Sequence, residues 1–291
     1  PVERYAHLKE DPPSLLVSLT AADVPMRDLL VLLISIAGAS LLAVPAQGQT
    51  IWSRPYQPNQ IALETFVPDL PEDDASLASG AAFLTATRSL NNNVELAAEL
   101  PVARYATDAT SSTAVGNPYV GLGLSSSSLP ILLELGLRIP AAPTNEALRA
   151  GQRADMGRTA AFRDESIAPS VLLNGRLALG RHASLRLRSG ITYASADRPA
   201  AGGNENRWRL PYSAQLWWNG ERFMSGLSVE GRPRLSTSEP DRTTHRAVVS
   251  VMFDGARAQP GLLVGTGLDP LVQDGRFVAV AGLTMSVSYG R

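Results

Sequence analysis

The chain has 291 residues and a formal net charge of -1, which fits one large domain or two small ones and gives no global attraction to nucleic acid or anionic lipid. It contains no cysteine, so disulfides, thiol catalysis and thiolate metal sites are excluded, and no basic run supports a nucleic-acid partner. Mean hydropathy is close to zero, too low for a bundle of membrane helices, but it is what strands with alternating lipid-facing and interior-facing residues average to.

Taken from the N-terminus, the first distinctive segment is Leu29–Val44, a continuous apolar run (LLVLLISIAGASLLAV). It is short for a membrane-spanning helix, which needs about 20 residues. Met26-Arg27-Asp28 precedes it and Pro45-Ala46-Gln47-Gly48-Gln49 follows. Charged start, apolar core and small-residue exit, in that order, read as a secretory signal peptide rather than an uncleaved anchor. Cleavage after Ala46 puts Val44 and Ala46 at the two specificity positions, and Gly48 is a second option. The expected organisation is an unstructured upstream extension (1–25), a helical signal peptide (26–46), a periplasmic leader (47–59) and one domain from 60 to 291.

That domain has a period of two. In Ile131–Ile139, Ile131, Leu133, Leu135, Leu137 and Ile139 share one face, while Glu134, Gly136 and Arg138 share the other. Ala183–Tyr193 sets Leu185, Leu187, Ile191 and Tyr193 against Ser184, Arg186, Arg188 and Thr192. The same alternation runs through Trp208–Trp218 and Phe223–Arg232. Strict alternation marks half-buried strands.

A soluble sandwich alternates too, but three features favour a membrane barrel. Strands are expected near 60–68, 76–90, 94–104, 118–125, 131–139, 169–179, 184–194, 208–218, 223–234, 246–253, 261–268 and 277–289. Many are long enough to cross a bilayer, which takes about 9–11 residues. Their connections alternate. Asn91–Asn93, Gly180–Ala183 and Asn219–Arg222 are short, whereas Tyr105–Asn117, Pro140–Ala168 and Ser195–Arg207 are long. Short periplasmic turns and long outer loops are the outer-membrane pattern. Finally, aromatic side chains fall at strand ends on the apolar face, forming an expected girdle. Tyr193 and Trp208 lie at the outer rim; Trp218, Phe223, Phe253 and Tyr289 lie at the periplasmic rim. The fold class is therefore all-β, an antiparallel transmembrane β-barrel of about twelve strands in a Gram-negative outer membrane. The first strand, which carries Glu64 and Pro68, and the tenth, which turns Val248 and Met252 inward, are weak, so ten or fourteen strands also fit.

Parity assigns the other faces to the lumen. Its expected lining is Glu95, Glu99, Glu134, Arg138, Asn174, Arg176, Arg186, Arg188, Arg209, Gln215, Glu230 and Arg232. More arginines than glutamates imply either a slightly anion-favouring passage or a salt-bridge ladder that fills the interior, and twelve strands lie between packed and open barrels. The loop Pro140–Ala168 carries Arg149, Arg153, Asp155, Arg158, Arg163, Asp164 and Glu165. It could fold inward as a constriction or cover the outer mouth, although a solvated loop is the commoner outcome.

Catalysis has little support. His7 precedes the expected cleavage site, His182 falls in a short turn, and His245 lies near Ser236, Thr237 and Ser238 in an ordinary polar loop. A general base must reach its nucleophile, and no such constellation is apparent. No metal spacing exists and no cofactor is expected. Gly265-Thr266-Gly267 lacks the helix that a nucleotide loop requires.

Gly116-Asn117-Pro118-Tyr119-Val120-Gly121-Leu122-Gly123-Leu124, with the strand ending Leu137-Arg138-Ile139-Pro140, resembles an outer-membrane transporter family named for the meta pathway of phenol degradation. So does the earlier stretch from Val94-Glu95-Leu96 to Glu99-Leu100-Pro101, and the resemblance covers roughly 76–140. It implies a signal peptide, an antiparallel barrel, and uptake or efflux of small organic molecules; the arginine-rich lining points to aromatic or carboxylated ones. The alternative is a closed structural or adhesive barrel with partner-binding outer loops. Expected partners are outer-membrane lipids, the barrel assembly machinery and small organic solutes, with no nucleic acid.

Overall fold

A computed structural model describes residues 59–69, 78–125, 130–164, 166–198, 203–204, 207–233, 235, 244–255, 257–268 and 279–289. The upstream extension, the signal peptide and all of the leader but Asn59 lie outside the described residues.

Twelve staves form the wall: β1 (Gln60–Pro68), β2 (Gly80–Ser89), β3 (Val94–Ala106), β4 (Tyr119–Ser125), β5 (Ile131–Arg138), β6 (Ser166–Leu179), β7 (Ala183–Arg198), β8 (Tyr212–Asn219), β9 (Phe223–Arg232), β10 (Thr244–Phe253), β11 (Ala258–Gly267) and β12 (Ala279–Ser288). Each pairs antiparallel with the next in sequence, and β12 pairs with β1 from Gln60↔Ser288 to Pro68↔Val280, so the sheet closes. Closure leaves no edge, which is what lets a sheet span hydrocarbon.

The side-chain period of two then decides the two faces. Leu262, Val264 and Leu283 point outward and are 60%, 61% and 60% exposed, while Glu64 and Glu134 point inward at 0% and 1%. A continuous exposed belt of Leu, Ile and Val around a wall whose buried side is charged is the inverse of a soluble protein.

Two staves depart from regularity for readable reasons. Arg207–Arg209 and β8 pair with β7 in one continuous register, Arg207↔Ala194 through Trp218↔Ala183. They are separated only at Leu210 and at Pro211, which has no backbone donor; the Pro211 carbonyl still accepts from Gly190 N at 3.1 Å. Ahead of β4, Ser111–Val115 pairs with the outer half of β3 (Val102↔Val115). Gly116 N donates to Pro101 O at 2.9 Å, but the next ladder pair is Glu99↔Tyr119. Asn117 and Pro118 therefore oppose Leu100 alone, which is a β-bulge. The expected strand at 169–179 begins earlier, at Ser166, and the expected strand at 261–268 begins at Ala258, because the sheet continues into residues without apolar alternation.

The connection between β5 and β6 is where expectation and structure differ most. It is not a solvated loop. It folds into the barrel as α1 (Glu146–Ala154) followed by a 3-10 helix (Met156–Phe162). Asn145 caps α1 by accepting from Ala147 N at 2.9 Å. Ala147, Leu148, Ala150, Gly151 and Ala154 make one buried stripe, which packs against β1, β2 and β3. Phe162, Phe83 and Phe66 stack edge to face behind it, with ring centroids 5.4 and 5.8 Å apart.

Candidate functional site

The bulge ahead of β4 turns the Asn117 side chain into the lumen, where it is fully buried. Its Oδ1 accepts from Ala141 N (2.8 Å) and Ala142 N (2.9 Å) on the entering limb of the inward loop. Its Nδ2 donates to Ala160 O (3.0 Å) and Arg163 O (2.6 Å) on the leaving limb. All four hydrogen-bonding positions of one amide tie both limbs to the wall. Beside it, a Cβ at Gly116 would lie 2.3 Å from Ala161 O, so only glycine permits that approach. The motif behind the family resemblance is thus the anchor of the plug.

Below the anchor lies a buried ionic node. Arg158, from the plug, places Nη1 2.9 Å from Glu99 Oε2 and 2.9 Å from Glu64 Oε2, and Nε 2.5 Å from Asp155 Oδ2. The Glu64 contact is an ion pair outside hydrogen-bond geometry, since neither Glu64 oxygen has a hydrogen-bond partner. The Arg158 guanidinium sits 3.6 Å from the Phe83 ring centroid. Arg138 Nη2 donates to Glu99 Oε1 at 2.6 Å, and Arg246 Nη1 donates to Asp155 Oδ1 at 2.6 Å. Three carboxylates thus meet three guanidiniums, the condition under which buried charge is tolerated. Burial alone would raise the Asp155 carboxyl, but Arg246 and Arg158 outweigh it and hold it at about 2. Burial pulls Arg158 down, and Asp155, Glu64 and Glu99 together raise it above the ordinary arginine value.

The residues expected to line the lumen fall into two groups. Glu95, Glu99, Glu134, Arg138, Asn174, Arg186 and Gln215 are buried on the inward face. Arg176, Arg188, Arg209, Glu230 and Arg232 are inward but partly exposed. Glu134 accepts from Tyr119 Oη and from Asn174 Nδ2 (3.4 Å), with Arg188 Nη2 4.0 Å away. Of the expected girdle, Trp208, Trp218, Phe223, Phe253 and Tyr289 are exposed, and Tyr193 lies 4.7 Å from Trp208 by ring centroid. Glu64 and Trp217 were not expected inside. Glu64 could have been found by carrying parity through β1, because it faces opposite Leu63 and Thr65. Trp217 could be found the same way, because it shares the parity of Arg209 and Gln215 and lies opposite Trp218 of the expected girdle; it is buried, packed with Met224 and Met252.

His7 lies outside the described residues. His182 stacks on Trp218 with centroids 5.9 Å apart, and His245 lies 5.9 Å from the Tyr212 ring. Ser236, Thr237 and Ser238 lie outside the described residues. No group able to hold a metal ion occurs among the described residues.

A closed antiparallel barrel of twelve staves, apolar outside and charged within, has the fold of outer-membrane barrel channels. It is similar to an outer-membrane channel from Pseudomonas putida F1, with a TM-score of 0.54 and 12% identity over 84% of this chain and 100% of that one. A NanC porin superposes with a TM-score of 0.52 at 7% identity, covering 79% of this chain and 100% of that one. At such identities the likeness is one of fold. No protein-family model and no curated protein matches the sequence.

Proposed function

We propose that this protein is an outer-membrane barrel through which small organic solutes, aromatic or carboxylated, pass beside an inward-folded outer loop. It reaches the membrane by way of the signal peptide at 26–46 and the barrel assembly machinery, and it performs no catalysis. The observation that carries the reading is the row of inward arginines, Arg176, Arg188, Arg209 and Arg232, that stay partly exposed. Arginine on a wet interior face binds carboxylate and stacks on rings. The resemblance to the meta-pathway transporter family agrees with passage of small organic molecules. In planar bilayers the folded, heat-modifiable protein should give discrete conductance steps, reduced by Arg186→Ala or Arg188→Ala. A folded barrel without steps would overturn the reading. Mass spectrometry of outer-membrane material should find a mature N-terminus at Gln47.

The second reading, a closed structural barrel, is favoured by one observation: the node around Arg158 is completely buried. In that case liposomes carrying the protein should not swell in small solutes, and truncating Pro140–Ala168 should open them.

A further inference from the structure

The plug does not sit centrally. Its helix α1 packs on β1, β2 and β3, the 3-10 helix touches β3, β9 and β10, and along β1 to β5 the lumen positions Glu64, Phe66, Phe83, Glu99, Glu134 and Arg138 are all buried. Across the barrel, on β6 to β9 and the short strand Arg207–Arg209, the inward arginines named above stay partly exposed. The side of the plug that faces them carries Thr159 and Ala160, also partly exposed, and Arg209 Nη1 reaches Thr159 Oγ1 at 3.2 Å.

Charge follows this asymmetry. The plug and Arg138 neutralise Glu64 and Glu99 and cover them. Glu134 is covered by Tyr119 and Asn174. Among the described inward side chains of these staves, the partly exposed carboxylate is Glu230, already bound by Arg246 Nε at 3.0 Å. Register adds a further feature, because Arg176 and Arg186 are direct cross-strand partners. Like charges in that position repel unless an anion lies near them. Close by, Arg188 Nε and the hydroxyls of Ser184 and Ser228 are buried without hydrogen-bond partners in the protein.

We propose that the inward loop is a charge selector. By masking the acidic wall it leaves a lane whose exposed lining is arginine, and that lane admits small carboxylates in preference to cations. This rests on the passage reading, but two experiments separate them. In a KCl gradient across a planar bilayer, the reversal potential should show chloride to be more permeant than potassium. Arg188→Gln with Arg209→Gln should lower that permeability ratio about threefold, by weakening focusing of anions in a low-dielectric lane. Replacing 144–162 with a short Gly-Ser linker should bare Glu64 and Glu99 and reverse the preference.

The second experiment needs neither conductance nor a folded deletion. The full chain in detergent is treated with phenylglyoxal and its arginines are mapped by mass spectrometry. Arg176, Arg188, Arg209 and Arg232 should react and be protected by millimolar succinate, while Arg138 and Arg158 should not react. Reaction at Arg158 equal to that at Arg188, or no protection by succinate, overturns the selector. Cation preference in the intact protein also overturns it and leaves passage standing. The expected map with no conductance leaves the arginine lane and its carboxylate recognition standing and removes passage.

Discussion

Asn117 and Asp155 show how much one side chain can hold. Asn117 spends its whole hydrogen-bonding capacity on backbone groups that have no strand partner, so truncation strands two donors and two acceptors inside the lumen. Each buried group left unsatisfied costs about 1–3 kcal/mol. Asn117→Ala should therefore release the plug without unfolding the wall. Trypsin should then cut after Arg158, which is sealed in the native protein, while the barrel keeps its heat-modifiable migration. Asp155 adds a pH dependence whose sign is fixed. Its carboxyl is lowered from 3.8 to about 2, so its stabilising contribution is present above pH 4 and lost as pH falls through about 2. A shift of that size is worth about 2 kcal/mol. Plug release, read by cleavage with an acid-active protease, should rise between pH 4 and pH 2. Asp155→Asn should bring the same release at pH 7, since it leaves Arg158 and Arg246 short of a counter-charge.

At the level of elements, the wall depends on places where a ring needs the room that a glycine leaves. The Tyr119 ring, which donates its hydroxyl to Glu134, lies across β5 so closely that a Cβ on Gly136 would be 2.2 Å from its Oη. Gly136→Ala should displace the ring and cost about 1–3 kcal/mol in urea titrations, as overpacking does. In a Tyr119→Ala background the same change should cost little, giving a coupling well above the additive expectation. Such packing also marks the limit of what the sequence discloses. Strand positions and faces were legible because period two is imposed by the backbone itself, and the alternation of Leu and Arg in β7 can be satisfied only one way. The plug was not legible. Its residues (NEALRAGQRADMGRTAAF) carry the charge of an ordinary exposed loop. Of that charge Asp155 and Arg158 are buried, and only because Glu64, Glu99 and Arg246, distant in sequence, meet them. Even the Gly-Asn-Pro motif, visible as a family signature, gave no hint that the asparagine would point inward, since a bulge shifts register by a residue that pattern counting cannot assign.

For the whole molecule, what distinguishes this fold from a soluble one is the solvent each face meets, and a single substitution can probe it. Leu262 sits at the middle of β11, directly opposite Leu283 on β12, and both are 60% exposed. If water bathed that face, Leu262→Arg would be an ordinary surface change, within about 0.5 kcal/mol of neutral. In a bilayer the same arginine sits at the hydrocarbon midplane, where the cost is about 2–4 kcal/mol. Phe253, at the C-terminal end of β10 and paired with Phe223, supplies the internal control. Phe253→Arg near the interface should cost only about 0–1 kcal/mol in charge placement. Denaturant titrations of both variants in thin-lipid vesicles should therefore separate by depth, with Leu262→Arg much the worse. Equal effects at the two depths, or a folded and detergent-free soluble Leu262→Arg protein, would mean that hydrocarbon is not the medium around this barrel. The arginines within could then no longer be explained as the charges of a wet lumen enclosed by lipid.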